Sequence, residues 1–142
     1  MEYNRVTPAV IEKLQAISGK KYVWTDRDKL IPYAQDEGTG AHRLPDAVVL
    51  PATVEELAAV VRLANEEVIP VIPRGAGTGL EGGAVADRRG GIVVSTERLD
   101  RILEINEEAM YMVVEAGVIT ARIQEEAKKR GLLYAGDPCS GD

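Results

Sequence analysis

Apolar residues at Val10, Ile11, Leu14 and Ile17 recur with helical spacing between Thr7-Pro8 and Gly19. A threonine cap, a proline at the first helical position and a glycine stop bracket that stripe and predict a helix. Residues 20–44 carry no period; with Trp24, Tyr33 and the turn-rich stretch 36–40 they read as an irregular lead-in that packs against the rest of the domain. Residues 47–50 form an unbroken apolar run, the pattern of a strand buried on both faces. Thr53 and Glu56 stand three apart as a capping box. Val54, Leu57, Val61 and Ala64, with Val60 alongside, predict the apolar face of the helix it opens. That helix returns the chain to a second apolar run, 68–72, and so builds a β-α-β unit. Residues 92–94 predict a third strand, and 99–105 lead into a fourth. A turn at 106–108 joins it to a fifth over 110–115, antiparallel to the fourth. A last helix starts at Thr120, turns Ile123 and Ala127 inward and stops at Gly131. Lys128, Lys129 and Arg130 fall in its final turn, where positive charge suits the helix dipole. They read as structural, not as a binding patch. Residues 132–134 predict a short final strand.

The strand over 68–72 runs into Pro73-Arg74-Gly75-Ala76-Gly77-Thr78-Gly79-Leu80-Glu81-Gly82-Gly83. Glycine takes positive φ without steric cost and lets backbone lie against a ligand with no Cβ between them. A glycine run leaving a buried strand therefore turns main-chain N–H groups toward an anion, as in an anion-binding nest. A Walker A loop would end in Gly-Lys-Ser/Thr; here the matching place holds Glu81-Gly82-Gly83, with no lysine. The pattern G-x-G-x-x-G does occur at 77–82, but it carries meaning only where it opens a helix. The next stretch, 83–91, is too short and too rich in glycine for one. What is left is a glycine nest holding the diphosphate of a nucleotide cofactor.

Composition narrows the rest. At 142 residues the chain is long enough for one core, and its net charge of −6 excludes a basic nucleic-acid face. The single cysteine, Cys139, leaves no disulfide within the chain and fits a reducing cytoplasm. No apolar run reaches the length that crosses a bilayer. His42, the only histidine, reads as a solvated loop residue.

Residues 69–79 with Gly82 and Gly83 resemble the pyrophosphate loop of the FAD-linked oxidases of the vanillyl-alcohol oxidase / p-cresol methylhydroxylase superfamily. Pro45-Asp46-Ala47-Val48-Val49-Leu50-Pro51 and Thr53-Val54-Glu55-Glu56-Leu57 resemble the opening of that FAD domain. Val114-Glu115-Ala116-Gly117-Val118 and Gly136-Asp137-Pro138-Cys139-Ser140 come after them in the family's order. The glycolate oxidase D-subunit and D-lactate dehydrogenase branch is the nearest in pattern. The resemblance implies an α+β fold, α/β-like in its first half, in which a small, partly parallel sheet is flanked by helices. It divides the chain into a lead-in, 1–44, and the first part of an FAD-binding domain, 45–142, truncated at its C-terminal side.

It also implies FAD as cofactor and a flavin-dependent oxidoreductase acting on a small 2-hydroxy acid of the glycolate or D-lactate type. The cofactor would be held by main-chain N–H groups from Arg74 to Gly79, namely Arg74, Gly75, Ala76, Gly77, Thr78 and Gly79. Pro73, Gly82 and Gly83 would shape the loop, and Asp137, Pro138 and Ser140 would supply a second flavin-contacting turn. Arg74 has two readings, neutralising the diphosphate or pairing with a nearby acid at the periphery. The catalytic base and the carboxylate clamp of such enzymes come from later domains, so no catalytic residue and no metal ligand is assigned. The isolated chain is expected to bind FAD weakly, and its partners are the remaining domains and other oxidase subunits. The competing expectation is an assembly or regulatory module that kept the fold and lost the cofactor.

Overall fold

The computed structural model describes residues 2–38, 40 and 42–136. Two short sheets organise them. The first has the strand order β1-β2-β4-β3, with β1 Val23–Trp24, β2 Ala47–Val49, β3 Val71–Arg74 and β4 Ile92–Ser95. β2 and β3 both run parallel to the central β4, and β1 is antiparallel to β2. The second sheet is a hairpin of β5 Ile102–Asn106 and β6 Tyr111–Val114. Helices α1 Pro8–Ser18, α2 Arg27–Leu30, α3 Val54–Glu66 and α4 Thr120–Lys129 complete the fold. It is the mixed architecture expected, a small and partly parallel sheet flanked by helices.

Side chains alternate across the first sheet, and each face has its own cover. Val49, Ile92 and Val94 pack with Val10 and Leu14 of α1 and with Val60, Leu63 and Ala64 of α3. Val48, Leu50, Ile72 and Val93 pack on the opposite face with Leu30, Tyr33 and Ala86. The second cover comes from the stretch expected to be an irregular lead-in. It is more ordered than its sequence shows, supplying β1, the short helix α2 and two turns of 3-10 helix at 20–22 and 31–33. Trp24 and Tyr33 meet edge to face, 5.9 Å between ring centres.

Local chemistry explains the helix ends. Thr7 Oγ1 accepts from Val10 N at 3.4 Å, and Gly19 leaves α1 with φ 86°. Thr53 Oγ1 accepts from Glu56 N at 3.2 Å, while the Glu56 carboxylate reaches back to Ala52 N at 2.9 Å. The capping box is therefore closed one residue earlier than its standard form. The buried stripe of α3 differs from the expected one. Val60, Leu63 and Ala64 are buried, whereas Val54 and Val61 are 61% and 45% exposed. Val54 and Val61 share a neighbouring stripe, and Leu63 tips the balance toward the face that also carries Leu57.

The second strand is displaced as well. Ile69 N donates to Ala64 O at 2.8 Å and Val68 takes φ 56°, so residues 67–70 finish the helix. Pairing starts at Val71 and continues through Pro73 to Arg74. Pro73 is tolerated because β3 is an edge strand, where a missing N–H breaks no ladder. Residues 132–134 form no strand among the described residues, and Leu133 is 86% exposed. In α4, Lys129 and Arg130 pair with Glu125, Glu126 and Glu107, which uses their charge inside the fold.

The exit of β6 is pinned by Glu115, one of the few buried acids. Its carboxylate accepts from Arg101 N at 2.8 Å, from Nε at 3.1 Å and from a terminal guanidinium nitrogen at 2.7 Å. These bonds hold its carboxyl below the usual carboxylate range. A carboxyl whose folded pKa is depressed contributes stability at neutral pH and loses it as pH falls through that folded value. Glu115→Gln is therefore expected to lower the melting temperature at pH 7, and the gap to wild type should close in acid. A pH series of thermal melts reads both.

Candidate functional site

Residues 75–91 leave β3 without forming a helix and make a series of bends back to β4. Gly77 takes φ 81° and Gly82 φ 76°, the left-handed region that glycine occupies freely. Among the described residues, none of the main-chain N–H groups of Gly75, Ala76, Gly77, Thr78 and Gly79 has a hydrogen-bond partner. Three of these residues, Gly75, Ala76 and Thr78, border a cleft of about 340 Å³. Gly75, Ala76 and Thr78 form one wall; Ala116, Gly117, Val118, Ile119 and Thr120 form the other; Thr96 and Glu97 lie between.

The second wall comes close because Gly117 allows it. Its N–H donates to Leu99 O at 2.8 Å, and a Cβ there would strike the Thr96 carbonyl. Thr96 Oγ1 and Ala116 O are 3.4 Å apart. The wall then turns into α4, whose N-cap, Ile119, makes no side-chain capping bond. Thr120, the first residue of α4, lines the cleft, and the main-chain N–H groups of Thr120 and Ala121 have no partner among the described residues. A helix N-terminus and a nest, both rich in unpartnered N–H groups, favour the same kind of ligand, an anion. No lysine or arginine lines the cleft among the described residues.

Arg74 is placed differently from either reading of its side chain. It is buried, and its guanidinium donates to Gln35 O at 2.8 Å, Pro32 O at 3.1 Å and Ala84 O at 3.3 Å. It lies over the Tyr33 ring, 5.3 Å from the centroid. The guanidinium therefore faces neither a peripheral acid nor the cleft. Its main chain closes the ladder: Arg74 O accepts from Thr96 N at 3.0 Å. Pro73 is exposed on the strand edge, Gly83 is exposed, and Gly82 N donates to Asp36 Oδ2 at 2.8 Å. Asp137, Pro138 and Ser140 lie outside the described residues, as does Cys139. His42 is exposed.

Glu97 carries no signal in the sequence. One of its carboxylate oxygens, Oε1, accepts from Tyr33 Oη at 2.6 Å and from Ser95 Oγ at 2.8 Å. Burial, then the Glu97 carboxylate, pushes the Tyr33 phenol well above its ordinary value, so it stays a donor. Of the cleft residues, Thr96, Glu97 and Ile119 belong to no pattern in the sequence, whereas Ala116, Gly117 and Val118 fall in a family-like stretch and Thr120 at the expected helix start.

The cradle fits a dinucleotide's diphosphate: free amides along 75–79, a wall brought close by Gly117, and the start of α4 opposite. Residues 45–142 match the FAD binding domain family, and the chain belongs to that family, with FAD as its cofactor. The chain is 40% identical over 139 residues to a D-lactate dehydrogenase of Anaerostipes hadrus, covering 96% of this chain and 29% of that protein. It is 33% identical to the glycolate oxidase subunit GlcD of Bacillus subtilis (strain 168), covering 95% of this chain and 28% of the relative. Among solved structures, p-cresol methylhydroxylase with substrate bound superposes with a TM-score of 0.78 at 28% identity, over 89% of this chain and 26% of the other. The chain thus spans less than a third of the length of these relatives. It is an FAD binding domain, similar along nearly its whole length to part of a D-lactate dehydrogenase and part of a glycolate oxidase subunit.

Proposed function

We propose that this chain holds the diphosphate of FAD in the cleft between residues 75–79 and 116–120, as part of a flavin-dependent oxidoreductase. The whole protein would oxidise a small 2-hydroxy acid of the glycolate or D-lactate type. The observation that carries the reading is the run of unpartnered amides from Gly75 to Gly79, of which Gly75, Ala76 and Thr78 stand across the cleft from the start of α4. Bound flavin supplies the two-electron acceptor. This chain's residues supply the fixed dipoles that balance the phosphates, with the Thr78 and Thr120 hydroxyls at the two walls. Glu97 would repel a phosphate and suits a hydroxyl donor, so the sugar-like portion of the cofactor belongs on its side. Substrate oxidation needs a base and a carboxylate clamp, and both roles fall to the remaining domains that work with this one. The single cysteine supports a reducing, cytoplasmic setting.

Titrating the chain with FAD and monitoring flavin fluorescence tests the site. Saturable, weak binding is expected, with ADP competing because it carries the diphosphate and riboflavin failing to compete because it does not. No response to millimolar FAD would remove the reading, and so would riboflavin competing as well as ADP.

A further inference from the structure

Beneath the glycine loop lie two buried side chains of opposite charge, and each spends its charge on main chain. The Arg74 guanidinium binds the carbonyls of Pro32, Gln35 and Ala84. The Asp36 carboxylate, in a residue only 8% exposed, accepts from Gly38 N at 3.0 Å through Oδ1 and from Gly82 N at 2.8 Å through Oδ2. A further bond, Glu37 N to Gly79 O at 3.1 Å, joins the same two segments. Burying a charge is costly unless hydrogen bonds satisfy it, so a buried guanidinium and a buried carboxylate both hold their partners firmly.

The partners fall into two groups. Pro32, Gln35 and Gly38 belong to the lead-in, while Gly79, Gly82 and Ala84 belong to the loop. Arg74 itself starts the loop, so its side chain bridges the loop's two ends, 74 and 84, as well as the lead-in. Gly77 completes the arrangement, since a Cβ there would occupy the place of the guanidinium. The inner side of the loop is thereby consumed by protein contacts, and the amides of 75–79 are the ones left over.

We infer that Arg74 and Asp36 are positioning residues that hold the glycine loop in its cofactor-receiving shape from behind. The lead-in turn 32–38, which lies outside the family-matched segment 45–142, is then the support on which the glycine wall of the cradle rests. The inference rests on the diphosphate site proposed above for its functional consequence, while the loop's shape can be read without any cofactor.

Arg74→Lys and Asp36→Asn in the whole chain test it. Lysine keeps the charge but cannot fork to three carbonyls, and asparagine turns an NH₂ toward one of two amides. Amide hydrogen exchange at Glu37, Gly38 and Gly82 reports the latch, and exchange at Val93 reports the core. Each variant is expected to speed exchange at the latch by about tenfold or more while Val93 keeps its protection. FAD should then bind at least about tenfold more weakly in both variants, although neither side chain faces the cleft. Unchanged latch exchange overturns the inference. So does acceleration that reaches Val93 in both variants, which would make them stability residues only. A loss of FAD affinity in Arg74→Lys with unchanged latch exchange would make Arg74 a phosphate ligand instead. If wild type shows no FAD binding, the diphosphate site fails, and the exchange data still decide the latch.

Discussion

Gly77→Val is expected to abolish measurable FAD binding, the largest single effect in this chain. Two separate costs meet at this position. The backbone holds φ 81°, where an L-residue is strained by about 1–2 kcal/mol and a β-branched one by more. The added Cβ would also sit on the Arg74 guanidinium, which is anchored on three carbonyls and cannot swing aside cheaply. Either the loop lifts out of place, or the buried Arg74 guanidinium is displaced and loses its three carbonyl partners. An unsatisfied buried polar group costs about 1–3 kcal/mol, so both routes are expensive. We expect affinity to fall at least about a hundredfold, equivalent to about 2.7 kcal/mol. Gly75→Ala is the contrast. A Cβ at Gly75 meets nothing within 4 Å, so thermal stability should hold. The methyl group would still stand between backbone and phosphate, so affinity should drop while the melting temperature does not.

These two glycines also mark how far the sequence could be read. Their type and position after an apolar run announced a nest, and the caps at Thr7 and Thr53, the hairpin and α4 were equally visible, because each rests on contacts a few residues apart. What stayed hidden depends on distant partners. Nothing in the local pattern distinguishes Val60 from Val61; the packing of α3 against α1 and the sheet chooses between them. The start of β3 moved from 68 to 71 because Val68 and Ile69 are drawn into closing α3. Arg74 is the plainest case. An arginine opening an anion loop has an obvious candidate role, yet its binding partners are carbonyls about forty residues earlier in the chain. Asp36 and Glu97 escaped notice for the same reason, being single acids whose meaning comes from Gly82 and Tyr33.

Gly117→Val is expected to damage both stability and binding, and for a reason unlike that at Gly77. No left-handed φ is required of Gly117; the constraint is space alone. Its Cα lies against the chain just beyond β4, and a Cβ would strike the Thr96 carbonyl and crowd Leu99 O. Both are backbone atoms, so relief demands that β6 and the start of α4 move away from the first sheet. That motion breaks Gly117 N to Leu99 O and strains Glu115 N to Arg101 O, the bonds that seat the second wall of the cleft. Overpacking of this kind costs about 1–3 kcal/mol, and the melting temperature should fall by roughly 4–10 °C for a domain of this size. FAD affinity should fall with it, because the amides of α4 retreat from those of 75–79. Latch exchange at Glu37 and Gly82 should stay as in wild type, since that contact lies on the far side of the loop. Gly77→Val should disturb the latch and Gly117→Val should not, yet both should lose the cofactor. A diphosphate gripped from two walls requires that pairing of results, whereas a site built from the glycine loop alone would leave Gly117→Val with its affinity intact.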